Sequence, residues 1–537
     1  MTELLTTLTM VFAAATMALL LSRALEQPAI PFYILSGIPV SVAVSQQQVL
    51  ELSQLGISFL VFIYGVRFST SKLRTVASEG LTASITSIVL TGSIAVILGL
   101  FIGLNGFETL VFASAAALSS SLVGLELIKD DLRKELVHGR LIESIQLIQD
   151  LFAVLLILVI FSSEPFSAVV KGGSLLLFEL MFKEAFPYLA EGFKESTEVI
   201  MVFSLAILAV YISLTTVFGI SPVIGAFAAG LSLSKYPYSL EIVDTVGSLK
   251  DFFTAILFVS IGTVAANINL QAFLLSTTII AVTLLVKPFI IYATLQSLGR
   301  DSRVSFLSSL GLDQVSEFAI IIAIQAFLIG RVGEPLLQSV VISTAFTMAL
   351  STYTDRNDNT LYRKFRELFP IPEKTDSNVE NPEDHVILVG FDTQGRKILE
   401  ELEEEGKKTV VIEYDPEKLE ILKERDADYV FGDVMHQASW SEAGYRNAEL
   451  IVSTVPLRHV SDKIISLETD ADTILRSPNI EQAERLLGEG ATFVSVPKIM
   501  SSQRLVEHLK GVLNNHSYRE ELRRKNLLQL RKKQQER

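Results

Sequence analysis

Residues 305–323, SFLSSLGLDQVSEFAIIIA, put two carboxylates, Asp313 and Glu317, into a run otherwise apolar enough to lie in hydrocarbon. An ionisable group there costs at least about 2.5–3.5 kcal/mol on insertion scales, so each one needs a reason. Gly311 precedes a polar patch, which predicts a break where freed carbonyls and hydroxyls line an ion site. Asp313 and Glu317 stand four apart, the spacing of neighbours on one helix face. Two more segments repeat the theme. Asp150 lies in SIQLIQDLFAVLLILVI (144–160) and Lys287 in VTLLVKPFIIY (282–292). A second break is expected at Leu118-Ser119-Ser120-Ser121, against the plainer reading that such serines only bond back to their own turn.

Three carboxylates and one lysine in a single apolar chain favour a cation or proton pathway over salt bridges that merely lock helices. An ionised carboxylate binds a hard cation through oxygen, and a protonated one does not. A group that holds either ion, never both, couples the two fluxes in opposite directions. Lys287 is expected to neutralise one carboxylate when the site is empty.

The rest of the chain fits that frame. Half of its 537 residues are hydrophobic, 19% are charged, and the mean hydropathy is +0.44. Residues 1–354 hold 17 Lys+Arg and 24 Asp+Glu, whereas the remaining 183 hold 28 and 35. A polytopic membrane domain with a polar appendage follows. The net charge of −14 argues against a nucleic-acid partner, and the lack of cysteine excludes disulfides, zinc thiolates and iron–sulfur clusters. The apolar start lacks the basic flank of a signal peptide and reads as a retained first helix.

Hydropathy predicts about thirteen membrane helices, near 4–22, 29–44, 49–67, 79–103, 108–127, 139–162, 165–187, 196–217, 220–234, 250–266, 270–297, 303–328 and 334–353. With the N-terminus outside, the inner loops carry Arg67, Lys72 and Arg74, then Lys129, Arg133, Lys134 and Arg140, then Arg300 and Arg303. The outer loops hold little beyond Arg331. That asymmetry obeys the positive-inside rule and places the C-terminal region in the cytoplasm of a cell-membrane protein. The expected domains are 1–354 (exchanger), 355–384 (linker, polar and Pro-rich from residue 370), 385–515 (Rossmann-like) and 516–537 (charged helical tail).

In the third of these, HVILVG, KTVVIEYD, ADYVFGD and AELIVSTV alternate with helical stretches, the pattern of a parallel α/β sheet. Gly390-Phe391-Asp392-Thr393-Gln394-Gly395 follows the first strand, where a dinucleotide fold uses glycines for its tight turn and for phosphate approach. Asp392 replaces the middle glycine, which is unfavourable for a pyrophosphate. Glu413 and Asp415 end the next strand, where an acid can hold ribose hydroxyls, and Gly432-Asp433 forms a later turn.

These residues carry a resemblance. SQLGISFLVFIYGVRFS (53–69), ALSSSLVGLELI (117–128), LIQDLFAVLLIL (147–158) and the long segment 219–263 resemble the monovalent cation:proton antiporters that include the Kef-type potassium efflux systems. The resemblance covers about residues 1–353. It implies inverted repeats with broken helices, a dimerisation bundle and a mobile core, a homodimer, and elevator-like motion. It implies that Asp150 binds the cation (K+ or Na+) and the proton, with Gln149 beside it pointing to electroneutral exchange, more often of potassium. Lys287 and Glu317 match family positions, the latter in Gln314-Val315-Ser316-Glu317-Phe318, where two family glycines are missing. Asp313 is a further departure and a candidate second titrating group. Residues 384–512 resemble the regulator-of-potassium-conductance (TrkA-N-like) lobe, which implies a regulatory nucleotide: AMP-like by virtue of Asp392, or NAD or ATP.

The reading is therefore a secondary antiporter, not an enzyme, exchanging a monovalent cation, K+ before Na+, for protons. A ligand-gated potassium channel is the rival of another class, but no Thr-Val-Gly-Tyr-Gly-like filter is present. A membrane-tethered NAD enzyme lacks any residues that assemble a hydride-transfer site.

Overall fold

The computed structural model describes residues 2–67, 78–129, 132, 137–160, 197–218, 221–234, 238–266, 268–368, 376–379, 382–435, 437–514, 519–520 and 522–524. The expected seventh helix and nearly all of the tail lie outside them. The chain divides into two units, residues 1–371 and 372–537.

The first unit is helical. Its elements are α1 (Thr2–Ala24), α2 (Ala29–Val40), α3 (Gln46–Arg67), α4 (Ser78–Ile102), α5 (Gly106–Ala117), α6 (Ser121–Leu127), α7 (Val137–Ile160), α8 (Thr197–Val217), α9 (Pro222–Ser232) and α10 (Tyr238–Gly262). There follow α11 (Leu270–Ala281), a π-helical turn Val282–Val286, α12 (Lys287–Ser297), α13 (Ser302–Leu310), α14 (Glu317–Leu328), α15 (Glu334–Arg356) and α16 (Asp358–Leu368). Among the described residues, eight spans are long and apolar enough to cross a membrane. α2, α9 and α14 are shorter apolar helices.

With no hydrophobic force between helices in lipid, close backbone approach matters more. α3 and α9 meet through Gly65 and Gly230: a Cβ on Gly65 would sit 2.4 Å from the Phe227 carbonyl oxygen, and one on Gly230 2.0 Å from that of Phe62.

Three expectations change. The span expected at 250–266 coincides with the apolar stretch Leu249–Ala266, but its helix begins earlier, at Tyr238, because the charged first turns of α10 read as loop. The stretch 355–384 is not all extended: it contains α16, whose Tyr362 and Phe365 pack on Phe306 of α13, with Phe365 also against Tyr292 of α12. Asp313 and Glu317 do not share a helix face, because the chain leaves the helix between them, over residues 311–316.

The second unit is a seven-stranded sheet in the order β1-β4-β3-β2-β5-β6-β7. The strands are β1 (Asp376–Ser377), β2 (His385–Val389), β3 (Thr409–Glu413), β4 (Asp428–Phe431), β5 (Ala448–Ser453), β6 (Asp472–Arg476) and β7 (Phe493–Ser495). All ladders are parallel except β1 on β4. β2 and β3 are buried at every position, as strands covered on both faces must be. Helix α17 (Thr393–Glu404) follows β2, and the strand order reverses beside β2, the position where doubly wound sheets bind ligands.

Candidate cation and proton site

Both breaks form where a serine offers a helix N-cap. Ser120 accepts from the Val123 amide to open α6, and Ser316 accepts from the Phe318 amide, at 3.1 Å, to open α14. Freed backbone groups in hydrocarbon must find partners inside the protein, and here each break serves the other. The Ser119 hydroxyl donates to the Leu312 carbonyl (2.9 Å), and Gln314 Nε2 donates to the Ser120 carbonyl (3.4 Å). From α7, Gln146 Nε2 donates to the Ser120 carbonyl (2.9 Å), and Gln149 Oε1 accepts from the Ser119 amide (2.9 Å). Lys287, wholly buried, donates to the Gln314 carbonyl at 2.9 Å and to the Leu118 carbonyl at 3.4 Å.

Two acids meet beside this crossing. Glu317, the first residue of α14, is buried. Its Oε1 accepts from the Tyr64 hydroxyl of α3, the Ser121 hydroxyl (3.0 Å) and the Leu122 amide (3.3 Å). Its Oε2 has no hydrogen-bond partner among the described residues. Asp150, half-buried on α7, lies in the field of Glu317. Asp313 sits elsewhere in its break: Ser351 and Thr354 of α15 donate to its two oxygens, the latter at 2.9 Å.

The seven residues expected at this site are thus placed around the two breaks, but Asp313 forms its own group. Tyr64, Ser121, Gln146 and Gln314 join the site without having been singled out as site residues. A cavity of about 710 Å³ opens beside α6, lined by Leu122, Val123 and Glu126 together with Arg23, Glu26, Lys250, Asp251 and Arg356.

In the second unit, Gly390 turns at φ +90°, and a Cβ there would meet the Thr454 hydroxyl at 2.8 Å. A Cβ on Gly395 would lie 2.2 Å from the Gly390 carbonyl oxygen, so both turn glycines are required by space. Asp392 caps α17, its Oδ1 accepting from the Gln394 (3.0 Å) and Gly395 (2.8 Å) amides, with Arg476 Nη1 3.6 Å from Oδ2. Buried Glu413 accepts from the amides of Phe391 (2.7 Å), Tyr414 (2.9 Å) and Asp415 (3.0 Å). Burial pushes its carboxyl above the ordinary range, opposed by Lys418 and these amides. Asp415 lies 3.8 Å from Lys418, and Asp433 accepts from the Met435 amide at 2.8 Å.

The family model for the transmembrane sodium/hydrogen exchanger matches residues 11–354. The chain belongs to the sodium/hydrogen exchanger family. The exchanger is a multi-pass cation/proton antiporter, and its residues 386–497 match the TrkA-N domain. It is 22% identical over 538 residues to a protein of Alkalimonas amylolytica named as a K(+) efflux antiporter, KefB, covering 93% of this chain and 80% of the relative. It is equally 22% identical to a protein of Escherichia coli named as a cation/proton antiporter, YbaL, covering 80% and 81%. The sodium proton antiporter MjNhaP1 of Methanocaldococcus jannaschii has the same fold, with TM-score 0.52 and 15% identity over 67% of this chain and 99% of that one.

Proposed function

We propose that this exchanger moves K+ against H+, electroneutrally, as a homodimer whose N-terminus lies outside and whose TrkA-N lobe lies in the cytoplasm and binds a regulatory mononucleotide. The observation that carries the exchange reading is Asp150 lying in the field of Glu317, whose Oε2 has no hydrogen-bond partner among the described residues. Beside the Glu317 carboxyl, Asp150 holds either a proton or one monovalent cation, not both. Glu317 Oε2 and the Asp150 oxygens supply the hard donors a K+ ion takes, and the carbonyls of the breaks replace its water. Each turnover then exchanges one cation for one proton at the same oxygens.

The name of the Alkalimonas amylolytica relative favours potassium. Arg23, Lys250 and Arg356 at one end of the bundle support the orientation by the positive-inside rule. Exposed Leu505, Leu509 and Leu513, one helical turn apart on Pro497–Asn514, support pairing of lobes. Asp392 already takes the amides at the start of α17 that a pyrophosphate would use, which favours an AMP-like ligand over NAD. The test is proton flux in liposomes driven by K+ or Na+, one at a time. Flux with K+ supports the reading; flux with Na+ alone replaces the cation; flux with neither rejects it.

A further inference from the structure

The buried charges of the membrane unit fall into two groups. Asp150 lies in the field of Glu317, which takes the Ser121 hydroxyl. Asp313 stands apart, 2% exposed, with one hydroxyl of α15 on each of its oxygens: Ser351 on Oδ1 and Thr354 on Oδ2. Both hydroxyls are placed to donate to a carboxylate there, which favours its charged form, and each also reaches a backbone carbonyl of α15. Lys287 belongs with this second group. Its acceptors are backbone carbonyls, at Leu118 and at Gln314, the residue next to Asp313. Carbonyls fix an ammonium in place without cancelling its charge, and a fully buried ammonium needs an anion near it. Asp313 and Lys287 act on each other electrostatically, while Glu317 is the charge that acts on Asp150.

We propose that Asp313 is the fixed counter-ion of Lys287, a positioning residue that keeps the lysine's positive charge from weakening cation binding at Asp150 and Glu317. The proposal rests on the reading that those two acids hold the transported ions. With Lys287 and Asp313 summing to zero throughout the cycle, Asp150 and Glu317 supply all of the charge that varies. The lysine then need not titrate, and one-for-one exchange stays electroneutral. Without Asp313, an uncompensated ammonium beside the crossing repels an entering cation. At a separation of about 10 Å and an effective dielectric constant of about 20, that repulsion weakens binding about tenfold.

The test is kinetic, on the full-length protein in liposomes with K+ as the driving cation, or Na+ if K+ drives no flux. Asp313→Asn is expected to raise KM for the cation about tenfold, with kcat changed far less. Adding Lys287→Gln to Asp313→Asn removes both charges and returns KM toward the wild-type value, even where kcat falls because the Leu118 and Gln314 carbonyls have lost their donor. An unchanged KM in Asp313→Asn overturns the proposal, as does a KM that stays raised in the double variant. A purely structural Asp313 would reduce the amount of folded protein without moving KM. If Asp313→Asn alone does not accumulate in membranes, the double variant decides. Recovery of folded transporter with near-wild-type KM supports the pairing, and failure to recover it overturns the pairing. The proposed function fails separately, if the wild-type protein shows no cation-driven proton flux at all.

Discussion

Glu317 and Glu413 are both buried, and each takes three hydrogen bonds, yet they are built for different work. Glu413 spreads its three bonds over both oxygens, and every donor is a backbone amide, from the turn after β2 or from the residues that follow β3. Glu317 crowds three donors onto one oxygen, one from α3 and two from the start of α6, and leaves the other without a partner among the described residues. A buried carboxylate whose oxygens are all committed holds a loop. One with an oxygen in reserve, beside a second acid, can take up an ion. Burial alone does not separate the two; the use of the lone pairs does.

The largest expected break in this comparison is Glu317→Gln, which keeps the shape and removes the charge. Cation-driven proton flux should fall about a hundredfold, the worth of its charge-assisted bonds, while the melting transition of the protein moves little. Equal loss of flux and of folded protein would place Glu317 with Glu413 as a brace. Glu413→Ala is the converse: three amides lose their acceptor, and the lobe should lose about 2 kcal/mol by thermal melting, with flux in the absence of nucleotide retained. A stable lobe in that variant would contradict the bracing role.

Much of this was legible in the sequence, and the reason is energetic. Asp150, Lys287, Asp313 and Glu317 stand out because charge in hydrocarbon is expensive. Tyr64, Ser121, Gln146 and Gln314 carry no charge, and many serines and threonines elsewhere in the bundle bond back to their own turn, as Ser53 does to Val49 and Thr344 to Val340. The serine run marks a break at Ser121, but nothing in the local pattern says that its hydroxyl reaches Glu317. The start of α10 and the whole of α16 were hidden for the opposite reason, since their charged residues read as loop although one face is packed. The four-residue spacing of Asp313 and Glu317 misled because helical periodicity was carried across a break.

Two smaller effects sharpen the comparison. Tyr64→Phe removes one of three donors from Glu317 and should slow exchange about tenfold; an unchanged rate would show that Ser121 and Leu122 suffice. For Glu413, the folded carboxyl binds a proton more readily than the unfolded one, because burial raises it. Folding therefore takes up protons as pH falls toward that folded value, and stability rises. The melting temperature of the wild type should climb on mild acidification relative to Glu413→Gln. A parallel pair of curves would show that the amides and Lys418 offset burial.

The central claim is that Asp150 carries the coupling between cation and proton. Proton flux should be measured in liposomes holding purified wild-type protein or Asp150→Asn, driven by a K+ gradient and then by a Na+ gradient. Wild type should couple at least one cation to protons, and the asparagine variant, folded to the same melting temperature, should couple neither, because a neutral amide cannot alternate between the two ions. Near-normal cation-driven flux through Asp150→Asn would contradict the account.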